Sequence, residues 1–329
     1  MSADFTPVLL SALKDAFPGI AGIENLVRLS GGASQETCSF DAIVDGALVP
    51  LILRRRPSGI PRSDNSVSLP IEARVIEAAR GAGVKAPRVR CVLKPEDGLG
   101  EAYVMDRLAG ETIARKILRD DAFANVRPKL ARQCGEILAR IHRVDTAPLR
   151  DVLQTMDGRT QLQRYRDLYD AYDYPHPVFE LAFQWLERRL GRGANATLVH
   201  GDFRNGNLLI SSNGVEAVLD WELTHIADPL EDIGWICVNS WRFGVSEKLV
   251  GGLGDLNALL EGYEAVGGAH FTHDDVKPWI VFGSLKWGIM CMTMYQGFRM
   301  DGSVERAAIG RRASEAEIDL VNLLVRSAP

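Results

Sequence analysis

The 329-residue chain is poor in cysteine, and its five cysteines form no CxxC pair. They are scattered along the sequence as Cys38, Cys91, Cys134, Cys237 and Cys291. An odd number of scattered cysteines favours buried thiols in a reducing compartment over a disulfide framework or a zinc site. The N-terminal stretch MSADFTPVLL lacks the charged and long apolar regions of a signal peptide. The sequence therefore predicts a soluble, cytoplasmic protein.

The chain also lacks a basic excess and a long uninterrupted apolar run. Its net charge is −5, whereas nucleic-acid-binding proteins normally carry a basic stripe, so we expect no nucleic-acid partner. The most apolar late segment, 279–294, is broken by Lys286 and is too short to span a bilayer. We therefore expect no membrane partner. The remaining composition, 46% hydrophobic and 25% charged, is typical of a globular protein.

The pattern of the chain changes near residues 106–110. Residues 20–107 alternate short β-type segments with turn signals and contain one helix beginning at Pro70. From about Gly110 onward most segments have helical spacing, the last of them running from Val304 to Val325. This predicts an α+β protein of two unequal lobes, residues 1–107 and residues 108–329.

One short β region interrupts the helices, at LVHGDFRNGNLLISSNGVEAVLDWE, residues 198–222. Asn213-Gly214 is a strong signal for a two-residue hairpin turn. A turn centred there would place Asn207 directly opposite Asp220 at the open end, with Cβ atoms about 4.5–5.5 Å apart. An amide oxygen and a carboxylate at that separation can share one hard cation.

Asp202 precedes this hairpin in a loop of small and polar residues that can fold it back beside the same cleft. One carboxylate free to accept a proton, next to two oxygen ligands for Mg²⁺, is suited to phosphoryl transfer. Polar residues at strand ends are also common as caps and turns, so these residues alone leave a structural role open.

HGDFRNGN together with LDWELTHIADPLEDIGW resembles the aminoglycoside phosphotransferase and choline-kinase-like family, whose members share the bilobal protein-kinase-like fold. The resemblance implies that Asp202 is the catalytic base and that Asn207 and Asp220 hold Mg²⁺. It makes His200 mainly architectural. It implies that Asp232 supports the catalytic loop, although an N-cap role for this residue is nearly as plausible.

The resemblance extends to the nucleotide site of the first lobe. LSGGASQETCSF resembles the nucleotide loop, which implies contact of ATP phosphates with Gly31, Gly32 and Ser34. AYVMDRLAGE resembles the hinge. Met105 would then lie at the adenine pocket, and the backbone of Asp106 and Leu108 would bind the adenine edge.

In LILRRRP, Arg54 stands where kinases carry the phosphate-binding lysine, a departure from the pattern. Arginine can still bind phosphate through its planar fork. Arg56, on the same strand face, is the rival candidate. Glu72, in the first turn of the Pro70 helix, is the expected ion-pair partner, with Glu77 as the weaker alternative.

The acceptor is expected to be a small hydroxylated molecule. LRRRP and AIGRRASEAEIDLV resemble kinase-like domains linked to acyl-CoA dehydrogenases, which suggests hydroxyacyl compounds. An aminoglycoside acceptor is the alternative, disfavoured because the late helices mix acidic and basic residues. Two other functions stay open: a non-catalytic nucleotide-binding relative, and an iron site built from His200, Asp202 and His225.

Overall fold

The computed structural model describes residues 5–29, 35–57, 59, 62, 65–191 and 196–325. An antiparallel sheet lobe is followed by a larger, mainly helical lobe, and the predicted α+β class is confirmed. Within the described ranges, no helix has the length and apolar character needed to cross a bilayer.

In the described part of the sheet lobe, five antiparallel strands lie in the order β1-β2-β3-β5-β4 and are accompanied by two α-helices. In chain order its elements are α1 (Thr6–Ala12), β1 (Ile20–Arg28), β2 (Glu36–Val44), β3 (Ala47–Arg56), α2 (Leu69–Gly81), β4 (Val89–Val92) and β5 (Glu101–Asp106).

The alternation of side chains along β3 gives the sheet two different faces. Leu51 and Leu53 are fully buried in the core that includes α1. Ile52 lies on the opposite face, in the core that includes α2. Arg54 follows Ile52 on that second face, and its guanidinium meets Glu72 in the first turn of α2. The alternation of side chains along β3 thus places Arg54 of the RRR run against α2.

Residues 108–191 and 196–325 of the helical lobe include two small sheets among the helices, β6 paired with β9 and β7 paired with β8. Its elements are α3 (Ala114–Arg119), α4 (Arg127–His142), α5 (Gly158–Asp170), α6 (Pro177–Glu187), β6 (Thr197–Val199), β7 (Leu208–Ser211), β8 (Gly214–Val218), β9 (His225–Ala227), α7 (Leu230–Ile236), α8 (Leu256–Ala265), α9 (His273–Asp301), α10 (Val304–Gly310) and α11 (Ala313–Leu324). Helix α4 packs on α8, and α7 packs on the long α9.

The prediction of one helix from Val304 to Val325 is wrong, because the chain forms α10 and α11 with a break between them. Gly310 ends α10 where the backbone approaches α9, and a Cβ atom there would lie 2.9 Å from the Cβ atom of Tyr295. Glycine is also a poor helix former, so the break occurs at the residue that allows this approach.

The predicted hairpin is present, but its predicted register is wrong. Ser211 pairs with Gly214, so the turn residues are Ser212 and Asn213. The Ser211 hydroxyl accepts a hydrogen bond from the Asn213 backbone N–H at 3.0 Å, which favours this earlier turn. A register shift follows between residues 209 and 210. Asn207 and Asp220 are therefore not direct cross-strand partners; the carbonyl of Asn207 instead accepts from the backbone N–H of Leu219.

Candidate active site

The loop between β6 and β7 is held close to the chain beyond Asp220. Gly201 has a φ of +80°, and a Cβ atom there would lie 2.3 Å from the carbonyl oxygen of Leu223. The carboxylate of Asp232, in the first turn of α7, accepts from the backbone N–H of His200 at 2.7 Å and of Gly201 at 2.9 Å. The predicted support of the loop by Asp232 is confirmed, and the N-cap alternative is not needed.

Three histidines near the loop have structural partners on both ring nitrogens. His142 bonds to Asp232 and to the hydroxyl of Tyr263. His200 contacts the Leu219 carbonyl and the Asp202 backbone N–H, which agrees with the architectural role predicted for it, and burial lowers its pKa. His225 bonds to the Leu223 carbonyl and to Glu231. With their ring nitrogens engaged in this way, His200 and His225 do not form the iron site considered above.

The carboxylate of Asp202 accepts hydrogen bonds from three side chains. Asn207 Nδ2 donates to its Oδ2 atom at 2.7 Å, and Trp235 Nε1 donates to its Oδ1 atom at 2.7 Å. Arg204 Nε lies 3.0 and 3.1 Å from the two oxygens. Donors on both oxygens fix the orientation of the carboxylate.

A cavity of about 330 Å³ lies between the two lobes and brings together several of the predicted residues. Arg54, Met105, Asn207 and Asp220 line it. Its apolar lining includes Leu29, Ile76, Val218 and Leu219. A lining that contains both charged and apolar groups suits a ligand that is part charged and part aromatic.

Arg54 is the centre of a buried ion-pair network. Its guanidinium lies 3.0 Å from Glu72, donates to Asp220 at 3.0 Å and donates to Gln35 at 2.7 Å. Burial would lower the pKa of Arg54, but the surrounding acidic groups, Glu72 foremost, hold it well above its ordinary value. Burial raises the pKa of Glu72, and the nearby Arg54 guanidinium opposes that rise.

The contacts differ between the two members of each pair of candidate residues, Arg54 and Arg56 in β3 and Glu72 and Glu77 in α2. Arg56 pairs with Glu101 outside the cavity lining, so Arg54 is the arginine that faces the cavity. Glu77 accepts from the backbone N–H of Val89 and pairs with Arg80. The predicted ion pair of Arg54 with Glu72 is therefore present.

The structure describes the predicted hinge residues Met105, Asp106 and Leu108 but not the predicted loop residues. Met105 is buried and lines the cavity. The backbone N–H of Asp106 donates to the Arg88 carbonyl, so this N–H is not free for a ligand. Leu108 is 39% exposed and adds no side chain to the cavity lining. The predicted loop residues Gly31, Gly32 and Ser34 lie outside the described residues.

The side-chain oxygens of Asn207 and Asp220 at this cavity are suited to binding Mg²⁺. Asn207 uses its Nδ2 atom on Asp202, and among the described residues no donor contacts its Oδ1 atom. Asp220 accepts from Arg54 through Oδ1, while its Oδ2 atom has no donor within the same described part of the chain. One amide oxygen and one carboxylate oxygen are hard ligands of the kind Mg²⁺ takes alongside phosphate and water.

A second cavity, of about 390 Å³, lies on the other side of Glu222. It reaches Gly201, the neighbour of Asp202, and is bordered by α5 and α9. Glu222 lines both cavities and accepts from Gln35. Burial raises the pKa of Glu222 to about 7, and the neighbouring Asp220 carboxylate adds to this effect.

Sequence reasoning missed Trp235 and Lys286. Trp235 is three residues after Asp232, so both lie on the same face of α7, a spacing that was readable in LEDIGW. Lys286 is the one cation in the otherwise apolar run 279–294. Its Nζ atom lies 4.7 Å from the centroid of the Trp235 ring, and it borders the second cavity.

Comparison with known families agrees with this geometry. Residues 25–268 match the model of the phosphotransferase enzyme family. The chain belongs to this family. The prediction of a small-molecule phosphotransferase is thereby confirmed.

Relatives of this phosphotransferase include parts of much longer proteins. It is 31% identical over 204 residues to acyl-CoA dehydrogenase family member 10 of Mus musculus, covering 57% of this chain and 18% of that protein. It is 26% identical over 261 residues to the Arabidopsis thaliana protein named "Probable acyl-CoA dehydrogenase IBR3", covering 72% of this chain and 29% of that protein. The chain thus spans under a third of these relatives, and their names describe the whole proteins.

Solved structures share the fold of this phosphotransferase over nearly its whole length. A protein of Ralstonia eutropha JMP134 assigned to the aminoglycoside phosphotransferases superposes with a TM-score of 0.77, at 20% identity, covering 98% of this chain and 99% of that one. Aminoglycoside phosphotransferase APH(4)-Ia, solved with ADP and hygromycin B, superposes with a TM-score of 0.62 at 17% identity, covering 98% and 99%. The predicted protein-kinase-like fold is confirmed.

Proposed function

We propose that this protein transfers the γ-phosphate of ATP to a hydroxyl group of a small molecule, with Mg²⁺ and with Asp202 as the base. The contact that carries the proposal is the 2.7 Å hydrogen bond from Asn207 to Asp202. It joins the candidate base to a cavity that also contains Asp220 and Arg54. Residues 1–107 would form the nucleotide-binding lobe, and residues 108–329 the catalytic and acceptor-binding lobe.

ATP would occupy the 330 Å³ cavity, with its adenine beside Met105. The carbonyl of Asp106 and the backbone of Leu108 would bind the adenine edge, since the Asp106 N–H is already bonded to Arg88. Arg54 would bind phosphate oxygens, and so would the backbone at Gly31 and Gly32 and the hydroxyl of Ser34. The relative solved with ADP supports a nucleotide ligand for this fold.

Asn207 and Asp220 would hold Mg²⁺ through Oδ1 of Asn207 and Oδ2 of Asp220, to which no described residue donates a hydrogen bond. Mg²⁺ bound there supplies positive charge against the phosphate oxygens of ATP. Arg54 already contacts Asp220, so a lysine-to-arginine change at this position retains a cation beside the metal ligand. Arginine keeps that charge at any physiological pH.

The acceptor would enter through the 390 Å³ cavity, which reaches Gly201. Asp202 would orient the acceptor hydroxyl and take its proton. The acceptor oxygen forms a bond to the γ-phosphorus, the bond from that phosphorus to the bridging oxygen breaks, and ADP leaves. Arg204, which now contacts Asp202 and lies 4.8 Å from the Trp241 ring centroid, is a candidate for binding the transferred phosphate.

The alternative of a non-catalytic nucleotide-binding relative would require loss of the base or of a metal ligand. Asp202, Asn207 and Asp220 are all present, so we favour catalysis. The proposed acceptor is a hydroxyacyl compound or another small alcohol, and an aminoglycoside is the alternative substrate class.

ADP release from Mg-ATP, measured against hydroxyacyl-CoAs, hydroxy acids, amino alcohols, sugars and aminoglycosides, tests the proposal. We expect turnover on one class and its loss in Asp202→Asn. The matched control is Asp15→Asn, whose side chain is 92% exposed. A melting temperature that does not respond to Mg-ATP, together with no turnover on any class, would contradict the proposed function.

A further inference from the structure

The second cavity has more positive than negative charge among its lining residues. Its cations are Arg62, Arg164 and Lys286, and its carboxylates are Glu222 and Glu231. If this cavity holds the acceptor, as the proposed function states, these charges determine which acceptors bind well.

Glu231 is already neutralised by two bases. Its carboxylate lies 3.0 Å from His225 Nε2 and 3.4 Å from Lys286 Nζ, and Gln161 donates to it at 2.7 Å. Burial would raise the pKa of Glu231, but His225 and Lys286 hold it at about 2. The cluster of one carboxylate and two bases therefore leaves no negative charge for a cationic ligand.

Lys286 keeps hydrogen-bonding capacity at the cavity. Its side chain is 8% exposed, and its one hydrogen-bond acceptor among the described residues is Glu231. An ammonium group has three donors, so two of them lack a protein acceptor in this part of the chain. Burying donors of a charged group without partners is costly, which favours a ligand that accepts from them.

Arg164, on α5, is a cation of this cavity that has no carboxylate partner among the described residues. Its Nη1 atom lies 3.6 Å from Met156 Sδ, and within the described ranges it makes no ion pair. It lines the same cavity as Lys286 while remaining partly buried. By contrast, Arg166, two residues later on α5, forms an ion pair with Glu180. An unpaired, half-buried guanidinium facing a cavity is suited to binding an anion through two parallel hydrogen bonds.

The rest of the lining is apolar and adaptable. Met156, Met290 and Met294 border the cavity together with Ile71 and Val152. Methionine side chains adapt to aliphatic groups of different shape.

We propose that the acceptor is an aliphatic alcohol with an anionic group, which Arg164 binds with help from Lys286 while its hydroxyl lies at Asp202. This inference rests on the proposed function for the position of the hydroxyl. The anionic group is a carboxylate or a phosphate monoester, since both offer paired oxygens to a guanidinium. A polycationic aminoglycoside is the acceptor that this charge arrangement disfavours most.

The test compares matched series of short aliphatic alcohols: hydroxy acids, alkanol phosphates, the amides of the hydroxy acids, their coenzyme A thioesters, and amino alcohols of equal length. Binding to the Mg-ADP complex is measured by calorimetry, and phosphate transfer from Mg-ATP is measured separately. The variants are Arg164→Gln, Arg164→Glu and the control Arg188→Gln, an exposed arginine without an ion pair among the described residues.

We expect one anionic series to bind at least about tenfold more tightly than the amides, the gain expected from a charge-assisted bidentate contact. Arg164→Gln should remove that preference, Arg164→Glu should shift it toward amino alcohols, and Arg188→Gln should leave it intact. The series that binds distinguishes carboxylate from phosphate.

The inference is overturned if amides, thioesters or amino alcohols bind as well as the anions, or if none of the anions binds. It is also overturned if Arg164→Gln and Arg188→Gln have equal effects. Anion binding that depends on Arg164, without any phosphate transfer, would retain the anion site and contradict the proposed function instead.

Discussion

Trp235 Nε1 donates a 2.7 Å hydrogen bond to Oδ1 of Asp202, while Asn207 donates at the same distance to Oδ2. The candidate base is thus held by a helix of the large lobe on one oxygen and by its own loop on the other. Lys286 Nζ lies 4.7 Å from the centroid of the Trp235 ring, so the indole contacts both a cation and the candidate base.

Replacing Trp235 with phenylalanine removes this hydrogen bond but keeps an aromatic ring. A hydrogen bond to a charged group contributes about 1.5–3 kcal/mol. We expect kcat to fall about tenfold to hundredfold, with little change in KM for ATP, because Trp235 does not line the nucleotide cavity. Steady-state kinetics measure both parameters. Trp185→Phe on α6 is the control, and an equal loss of kcat in both variants would contradict the role of Trp235.

Gly201→Ala should destabilise the protein far more than Gly244→Ala. Both glycines have positive φ, +80° and +93°. A Cβ atom at Gly201 would lie 2.3 Å from the Leu223 carbonyl, whereas a Cβ atom at Gly244 would have no described atom within 4 Å. We expect about 1 kcal/mol for the conformational cost alone at Gly244 and a loss of several kcal/mol at Gly201. Urea denaturation measures both free energies of unfolding, and equal values would refute the close approach.

Glu72→Ala and Glu77→Ala separate the two carboxylates of α2 that sequence reasoning considered. Glu72 is fully buried against Arg54, and removing one partner of a buried ion pair typically costs about 3–5 kcal/mol. Glu77 is partly exposed, so its removal should cost about 1 kcal/mol or less. We also expect weaker ATP binding by Glu72→Ala alone. Calorimetric ATP titration and thermal unfolding measure these effects, and matching results for the two variants would contradict the assignment of Glu72.

His225 should make stability depend on pH above its ordinary pKa of 6.5. Burial would lower the pKa of His225, but the adjacent Glu231 raises it overall. The folded state therefore binds more protons than the unfolded state above pH 6.5, so the free energy of unfolding falls as the pH rises through this window. His225→Gln should flatten that decline, whereas the exposed His273→Gln should not. An unchanged slope in His225→Gln, from denaturant unfolding at several pH values, would rule out this contribution.

The sequence predicts well those features that depend on local pattern. The predicted ion pair of Arg54 with Glu72 is present because side chains alternate along β3, which places Arg54 against α2. The loop support by Asp232 also follows from the motif that contains it.

Features that depend on tertiary contacts were not predictable in the same way. The observed hairpin register differs from the predicted one because the Ser211 side chain stabilises an earlier turn. The Asn-Gly turn signal alone does not account for this side-chain hydrogen bond. Lys286 reaches the second cavity from α9, more than eighty residues after Asp202 in the chain. Its partner Glu231 and the ring of Trp235 come from α7, and no spacing rule connects the two helices.

The most direct test of the account is a single-turnover experiment with Mg-ATP labelled in the γ-phosphate and an acceptor identified from the anionic series. Wild type and Asp202→Asn are compared for Mg-ATP affinity and for transfer of label to the acceptor. The account predicts similar affinity in both proteins and loss of transfer in Asp202→Asn by at least about a hundredfold, the range for a general base. Transfer by Asp202→Asn at the wild-type rate would contradict it.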